Sequence, residues 1–118
     1  MTEKNEIDHR PWGMYEVLYS GDICKVKRIV VNPRQRLSLQ SHSQRRETWI
    51  IVQGAALYQK GEFGLGSATA GDHIIIEKNE KHRIENCGKE ELIFIEVQTG
   101  EYFGEDDIVR YEDSYGRT

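Results

Sequence analysis

Short runs of β-branched and aromatic residues, separated by turn residues, are the feature that most constrains the fold of this chain. The longest run covers residues 23–31, and an Asn-Pro-Arg turn ends it. No segment repeats its apolar residues at the 3.6-residue period of a helix. Roughly nine or ten strands at a spacing of about 8–12 residues indicate an all-β sandwich or barrel.

The individual strands can be placed from their alternation and from the turns between them. We predict strands over residues 15–19, 23–31, 36–40, 48–53, 55–59, 73–77 and 91–98, with another around His82. The glycine-rich stretch 61–71 predicts further short strands and tight turns. We expect residues 1–9 to form a flexible N-terminus and residues 10–118 to form a single domain. The acidic and aromatic tail from residue 99 is expected to cover one end of the barrel or a partner subunit.

Composition limits the class of protein. A chain of 118 residues with 37% hydrophobic and 31% charged residues is typical of one soluble globular domain. Its net charge of −4 gives no electrostatic basis for binding nucleic acid. The polar N-terminus does not resemble a signal peptide, and no apolar run reaches the roughly 18 residues that cross a bilayer. Cys24 and Cys87 are therefore predicted to be reduced thiols in a cytoplasmic protein.

Four side chains that can bind metal stand out from these strands. Gln40 and His42 are two residues apart, so on a strand they point to the same side. Four residues then separate His42 from Glu47, which leaves room for the chain to bend and return a carboxylate. Together with His82 they offer two imidazoles, a carboxylate and an amide oxygen. We predict a divalent metal site, with zinc favoured and manganese, iron or nickel open. The alternative is a metal-free interior whose polar groups bond to one another.

The spacing of these residues resembles the paired motifs of the cupin family. Gln40-x-His42 is followed by Glu47, and six residues separate Glu47 from Gly54; three residues separate His82 from Asn86. Gln40 stands where the first histidine of the motif is commonest. The same exchange occurs in phosphomannose isomerases, whose zinc is held by Gln, His, Glu and His. The resemblance implies a cupin double-stranded β-helix, or jelly-roll barrel, with these four residues as ligands.

The resemblance extends beyond the two motifs. Segments 10–13, 25–29, 37–40, 81–83, 96–98 and 104–110 are similar to the cupin domain of type II phosphomannose isomerases. That domain usually forms the C-terminal part of a bifunctional enzyme with mannose-1-phosphate guanylyltransferase. The similarity implies a metal-dependent isomerase that converts mannose 6-phosphate to fructose 6-phosphate. Because cupins commonly dimerise, it also implies a homodimer.

Several positions depart from the family pattern. Ser43, Gln44 and Thr48 stand where the family usually has further histidines, and Arg34 replaces a glycine after a proline. Asn79 lies in a turn whose sequence differs from the family pattern, and asparagine tolerates a positive φ there. The lost histidines favour an alternative, a non-catalytic sugar-binding or regulatory cupin. A third hypothesis, oxygen-dependent cleavage, needs a three-histidine iron set that this sequence lacks.

The isomerase hypothesis assigns roles to five more residues. Exchange between aldose and ketose moves a proton between C1 and C2, and we predict Glu96 or a metal-bound water as the shuttle. Lys25, Lys27 and Arg45 are predicted to hold the phosphate, and Arg110 to close over the phosphosugar as a further catalytic residue. The alternatives are a solvated strand face for the two lysines and an ordinary salt bridge for Arg110.

Overall fold

The computed structural model describes residues 5–116, which form eleven strands and no helix that could cross a membrane. In chain order the strands are β1 (Ile7–Arg10), β2 (Gly13–Ser20), β3 (Cys24–Val31), β4 (Leu39–Ser41), β5 (Arg45–Gln53), β6 (Ala55–Lys60), β7 (Gly64–Thr69), β8 (His73–Ile76), β9 (His82–Asn86), β10 (Leu92–Gly100) and β11 (Val109–Glu112).

The strands form two antiparallel sheets. One sheet has the order β1-β2-β3-β10-β5-β8, and the other has the order β11-β4-β9-β6-β7. Strands distant in sequence lie side by side, since β10 runs between β3 and β5. The predicted all-β class is confirmed.

The inward-facing side chains of the central strands change from apolar to polar along each strand. On β10 the buried side chains pass from apolar to polar in the order Leu92, Phe94, Glu96 and Gln98. Strand β5 runs the opposite way, and the register places Gln98 opposite Glu47 and Glu96 opposite Trp49. The polar halves of the two strands therefore meet at one end of the barrel, while the apolar halves meet at the other.

The apolar end forms the core of the domain. Trp49 and Phe94 pack with their ring centroids 5.5 Å apart. Full burial of such side chains contributes about 1.5–3 kcal/mol each. The buried apolar residues around them are Trp12, Tyr15, Ile29, Val31, Ile51, Ala56, Ala68, Ile74, Ile76, Ile84 and Leu92.

The N-terminus differs from the flexible segment predicted over residues 1–9. Residues 1–4 lie outside the described residues, whereas Ile7–Arg10 form β1 and pair with β2. Asp8 Oδ2 accepts a hydrogen bond from the Tyr15 hydroxyl at 2.9 Å, and Glu6 O accepts one from Val17 N at 2.8 Å. Hydrogen bonds to the adjacent strand β2 therefore hold a segment that is mostly polar and charged in the sequence.

Two further differences from the predicted strands concern β4 and β11. Of the strand predicted over residues 36–40, only Leu39–Ser41 forms β4, because Arg36 makes a single bridge to Glu85 instead of continuing a ladder. The tail adds a strand that was not predicted, β11, which pairs with β4.

The turn positions follow the backbone requirements expected of them. Among residues 5–116, the non-glycine residues with positive φ are Arg34 (66°) and Asn79 (64°). Asparagine adopts this region with little strain, whereas arginine replaces the glycine expected there. Both cysteines are free thiols, with Cys24 half-buried and Cys87 exposed.

Candidate functional site

Three of the predicted metal ligands converge inside the polar end of the barrel. His42 follows β4, Glu47 lies on β5 and His82 on β9, and their ligand atoms lie within 4.8 Å of one another. Glu47 Oε2 is 3.5 Å from His42 Nδ1, and Glu47 Oε1 is 3.7 Å from His82 Nε2. Ligands bound about 2.1 Å from one ion lie roughly 3–3.5 Å apart. The distances of 3.5 and 3.7 Å are close to this spacing, so small shifts of the side chains would bring the three residues around a single metal ion.

The fourth predicted ligand lies beside His82. Gln40 is opposite His82 in the register between β4 and β9, and its side chain lines the same cavity. Gln40 Nε2 donates a hydrogen bond to Ser38 Oγ at 2.9 Å. Because the amide nitrogen has this partner, the amide oxygen is the atom that Gln40 can offer to a cation.

The orientation of His82 is fixed by the turn before β9. His82 Nδ1 lies 2.9 Å from the carbonyl oxygen of Glu80, which can only accept. Nδ1 therefore carries the proton, and Nε2 presents its lone pair on the side of Glu47. A metal-binding histidine usually has such a carbonyl on its second nitrogen.

Arg45 occupies the space between two of the candidate ligands. Its Nε donates to Glu47 Oε2 at 2.9 Å, and its Nη2 lies 3.0 Å from His42 Nε2. A guanidinium cannot accept a hydrogen bond, so His42 Nε2 accepts and its lone pair is used. His42 Nδ1 is buried without a hydrogen-bond partner. Burial first, and the charge of Arg45 second, lower the pKa of His42 to about 3, so the ring is neutral at physiological pH.

Glu47 and Glu96 form a buried carboxylate pair. Trp49 Nε1 donates to Glu47 Oε1 at 3.1 Å and to Glu96 Oε1 at 3.0 Å, and Gln98 Nε2 donates to Glu96 Oε2 at 2.7 Å. Burial and the charge of Glu47 raise the pKa of Glu96. Burial opposes ionisation of Glu47 too, but the nearby His82 and Arg45 leave its pKa lowered. Glu47 is therefore the carboxylate that keeps the negative charge.

A cavity of about 300 Å³ opens over these residues. Lys27 is almost fully buried in its wall, with Nζ 4.0 Å above the ring of Tyr15 and in contact with Glu105 Oε1. The cations that line the cavity are Arg10, Lys27, Arg45, Arg83 and Arg110. An interior with this many cations beside a metal-type ligand set is suited to an anionic ligand.

The structure places most of the predicted site residues together. Those that line the cavity are Lys27, Gln40, Arg45, Glu47, His82, Glu96 and Arg110. His42 joins the set through its contacts with Arg45 and Glu47. The prediction for Lys25 differs from the structure. Lys25 lies two residues before Lys27 on β3, opposite Ser20 and Gln98, and it does not line the cavity.

Sequence reasoning missed three charged residues of the cavity. Arg10 ends β1, Arg83 follows His82 on β9, and Glu105 lies in the tail. The only signal for them is that each falls in a segment similar to the phosphomannose isomerase cupin. Glu105 reaches Lys27 across 78 residues of sequence, a distance that no local pattern reveals.

Comparison with known proteins places the chain among carbohydrate-biosynthesis proteins. Residues 1–113 match the family described as "Mannose-6-phosphate isomerase C-terminal". Xanthan biosynthesis protein XanB of Xanthomonas campestris is 49% identical over 110 residues, which are 93% of this chain and 23% of that protein. Mannose-1-phosphate guanylyltransferase of Salmonella montevideo is 46% identical over 110 residues, which are 92% of this chain and 23% of that protein. The chain spans about a quarter of the length of these curated relatives.

Solved structures support the fold. A protein with a double-stranded β-helix domain from Klebsiella pneumoniae superposes with a TM-score of 0.74 at 22% identity, covering 96% of this chain and 90% of that one. The predicted cupin double-stranded β-helix is thus confirmed.

The same comparisons correct the predicted activity. The relatives that match nearly all of this chain are named as a guanylyltransferase and as polysaccharide biosynthesis proteins, not as isomerases. The prediction of a mannose 6-phosphate to fructose 6-phosphate isomerase is therefore wrong.

Proposed function

Because the chain belongs to the family described as mannose-6-phosphate isomerase C-terminal, we propose that it is a metal-dependent binding domain for a mannose phosphate, and not a catalyst of isomerisation. The observation that carries the proposal is the meeting of a metal-type ligand set and two buried cations, Lys27 and Arg45, at one cavity. The choice of sugar rests on the relatives, since one of them is named mannose-1-phosphate guanylyltransferase. We therefore take mannose 1-phosphate as the first ligand to test.

The metal is assigned to Gln40, His42, Glu47 and His82. Their donor set, two imidazoles with a carboxylate and an amide oxygen, suits zinc, and it also accommodates manganese, iron or nickel. A bound divalent ion supplies a Lewis-acidic point that attracts sugar oxygens. Trp49 and Arg45 hold the two oxygens of Glu47, as outer partners hold the carboxylate ligands of many metal sites.

The phosphate is assigned to the cationic wall. Lys27 and Arg45 are both buried, so a phosphate oxygen that reaches them interacts in a medium where water screens charge weakly. A cavity of about 300 Å³ is at the small end of ligand sites, which suits a single hexose phosphate. Arg10, Arg83 and Arg110 also line the cavity and add to its positive charge.

Arg45 connects the two halves of the proposed site. Its Nη2 uses the lone pair of His42 Nε2, so coordination through either ring nitrogen requires the guanidinium to leave that ring. Once displaced, Arg45 can turn its donors towards an anionic ligand. The proposal therefore couples the two events: metal binding favours phosphate binding, and phosphate binding favours metal binding by the same factor.

Isothermal titration calorimetry tests the proposal. Metal-replete protein is titrated with mannose 1-phosphate and with mannose, and both titrations are repeated after chelation. We expect binding of the phosphate ester to exceed that of the free sugar by at least about tenfold, and to weaken when the metal is removed. Equal binding of mannose and mannose 1-phosphate contradicts the proposal.

A matched pair of lysine variants locates the ligand. Lys27→Met removes a buried ammonium in the cavity, whereas Lys25→Met removes a half-buried one on the same strand outside it. We expect Lys27→Met to weaken mannose 1-phosphate binding at least about tenfold and Lys25→Met to change it less than about twofold. Circular dichroism checks that both variants fold. Equal losses in the two variants place the ligand elsewhere.

Two further properties concern the oligomeric state and the cellular location of the protein. We propose a homodimer, as the cupin resemblance implies, and a cytoplasmic protein. Two exposed apolar side chains on the outer face of β5, Ile50 and Val52, offer a surface for the second copy.

A further inference from the structure

The tail inserts a carboxylate into the cationic wall of the cavity. Glu105 lies in the segment between β10 and β11, and its Oε1 contacts Lys27 Nζ. The Lys27 side chain keeps 4% of its exposure and that of Glu105 keeps 40%. Glu105 therefore reaches a buried cation from the solvent side, through the mouth of the cavity.

Charge explains why this carboxylate stays there. Burial acts to raise the pKa of Glu105, but the positive charges of Lys27 and Arg45 lower it below its ordinary value. A buried lysine without a partner is strongly unfavourable, so Lys27 requires an anion beside it. In the ligand-free protein Glu105 supplies that anion.

The segment that carries Glu105 has anchors of its own. Asp107 Oδ1 accepts hydrogen bonds from Ser43 N at 3.2 Å and Ser43 Oγ at 2.8 Å, and Asp107 Oδ2 accepts from Gln44 N at 3.0 Å. Lys78 holds Glu101 at the other end, with Nζ–Oε distances of 3.0 and 2.9 Å. None of these bonds involves Glu105, so its side chain can rotate away from Lys27 while the segment stays in place.

We propose that Glu105 is a built-in occupant of the anion subsite, and that the anionic group of a ligand binds by displacing it from Lys27. This inference rests on the proposed function and adds the selectivity of the site. A carboxylate ligand only replaces one monoanion by another. A phosphate monoester carries about 1.5 to 2 negative charges and three acceptor oxygens, so it outcompetes Glu105. Glu105 is thus a specificity-determining residue that favours phosphorylated sugars over sugar acids and neutral sugars.

Glu105→Gln tests the displacement, with Glu101→Gln as its control. The control removes a carboxylate from the same segment whose side chain is 71% exposed and pairs with Lys78 outside the cavity. Affinities for inorganic phosphate and for mannose 1-phosphate are measured by calorimetry on the metal-replete full chain. We expect Glu105→Gln to strengthen both at least about tenfold and to reduce the preference for phosphate over acetate, whereas Glu101→Gln changes neither by more than about twofold.

Thermal unfolding gives a second readout that does not depend on a strong ligand. Glu105→Gln leaves Lys27 unpaired, so its melting temperature should fall in anion-free buffer and rise again with added phosphate by more than that of the wild type. The double variant Lys27→Gln with Glu105→Gln should lose the gain in phosphate affinity, because the cation for which the two anions compete is gone.

The outcomes separate the two proposals. If the wild type binds mannose 1-phosphate and Glu105→Gln leaves the affinity unchanged or weaker, the displacement is wrong and the binding function stands. If Glu105→Gln binds phosphate and the wild type does not, the displacement is supported. If neither protein binds phosphate or mannose 1-phosphate, and phosphate does not raise the melting temperature of Glu105→Gln, both proposals are overturned.

Discussion

The surroundings of His42 both favour and oppose metal binding. Its ring is buried and neutral, as a metal ligand must be, yet its Nε2 accepts a hydrogen bond from a charged arginine. Replacing this ring should therefore affect metal binding and the pH dependence of stability separately.

His42→Ala should reduce zinc affinity by roughly 100-fold or more while the domain still folds. Loss of an outer partner of a metal ligand typically costs 10–100-fold, and loss of a ligand costs more. The apolar core lies at the other end of the barrel, so folding does not depend on the ion. Competition with a chelator of known affinity measures the change. His73→Ala, at an exposed histidine on β8, is the control. Unchanged zinc affinity in His42→Ala removes His42 from the ligand set.

The stability of the metal-free protein should fall as the pH drops below about 6.5, because of His42. Its pKa is lowered from 6.5 to about 3 in the folded protein. Between these two pH values the unfolded chain binds a proton at His42 and the folded protein does not. The contribution of His42 to stability is therefore fully present above pH 6.5 and is lost as the pH falls towards 3. The slope for one proton is about 1.4 kcal/mol per pH unit.

Urea unfolding at pH 6.0, 5.5 and 5.0 in the presence of chelator measures this slope. His42→Gln should be flatter than the wild type by nearly the full value for one proton, and His73→Gln should not differ from the wild type. Parallel curves for His42→Gln and the wild type show that the ring takes up its proton at an ordinary pH in the folded protein.

At the scale of elements, the turn between β8 and β9 positions both histidines. Asn79 N donates to the carbonyl oxygen of His42 at 2.7 Å, and Glu80 O accepts from His82 Nδ1 at 2.9 Å. Glu80 N also bonds back to Glu77 O at 3.2 Å, which closes the turn. One short turn therefore connects the two imidazoles of the candidate site.

Asn79→Val should destabilise the domain by about 1–2 kcal/mol and weaken metal binding, whereas Asn79→Gly should preserve both. Asn79 has φ of 64°, a conformation that glycine adopts freely and β-branched residues adopt only with strain. Chemical denaturation and chelator competition give the two quantities. Asn32→Val is the control, since Asn32 is exposed and outside the positive-φ positions. Equal stability of Asn79→Val and the wild type excludes strain at this turn.

Most strands could be predicted from the sequence, but the edge strands β1 and β11 could not. Alternation and turn residues predicted β3, β5 and β10 within a few residues of their bounds. Strands β1 and β11 were missed because charged and polar residues make up most of both. β1 is held by its hairpin with β2, and β11 by pairing with β4, which is distant in the sequence. The motif spacing predicted that Gln40, Glu47 and His82 meet, since register follows from alternation once the fold is known.

At the scale of the whole molecule, the sequence does not reveal which cations face inward. Lys25 and Lys27 share one strand face, yet only Lys27 lines the cavity. The contact between Glu105 and Lys27 likewise depends on the packing of elements that are distant in the sequence. The activity could not be settled from the fold, because one cupin site serves many reactions.

The outer face of the six-stranded sheet bears on the assembly of the molecule. Ile50 and Val52 are 43% and 51% exposed on β5, and Ile50 lies opposite Ile95 of β10 in the register. An apolar patch on a sheet face is stabilised when a second protein surface covers it. If the proposed homodimer forms through this face, Ile50→Lys and Val52→Lys should convert it to monomers, because each places a charge at the centre of an apolar interface.

Size-exclusion chromatography with light scattering at micromolar protein concentration measures this change. Leu65→Lys is the control: Leu65 is 81% exposed on β7 of the other sheet, so its replacement should leave the dimer intact. Zinc affinity should be the same in all three variants, since the patch faces away from the cavity. A wild type that is monomeric, or an Ile50→Lys variant that remains dimeric, shows that the second copy does not bind this face.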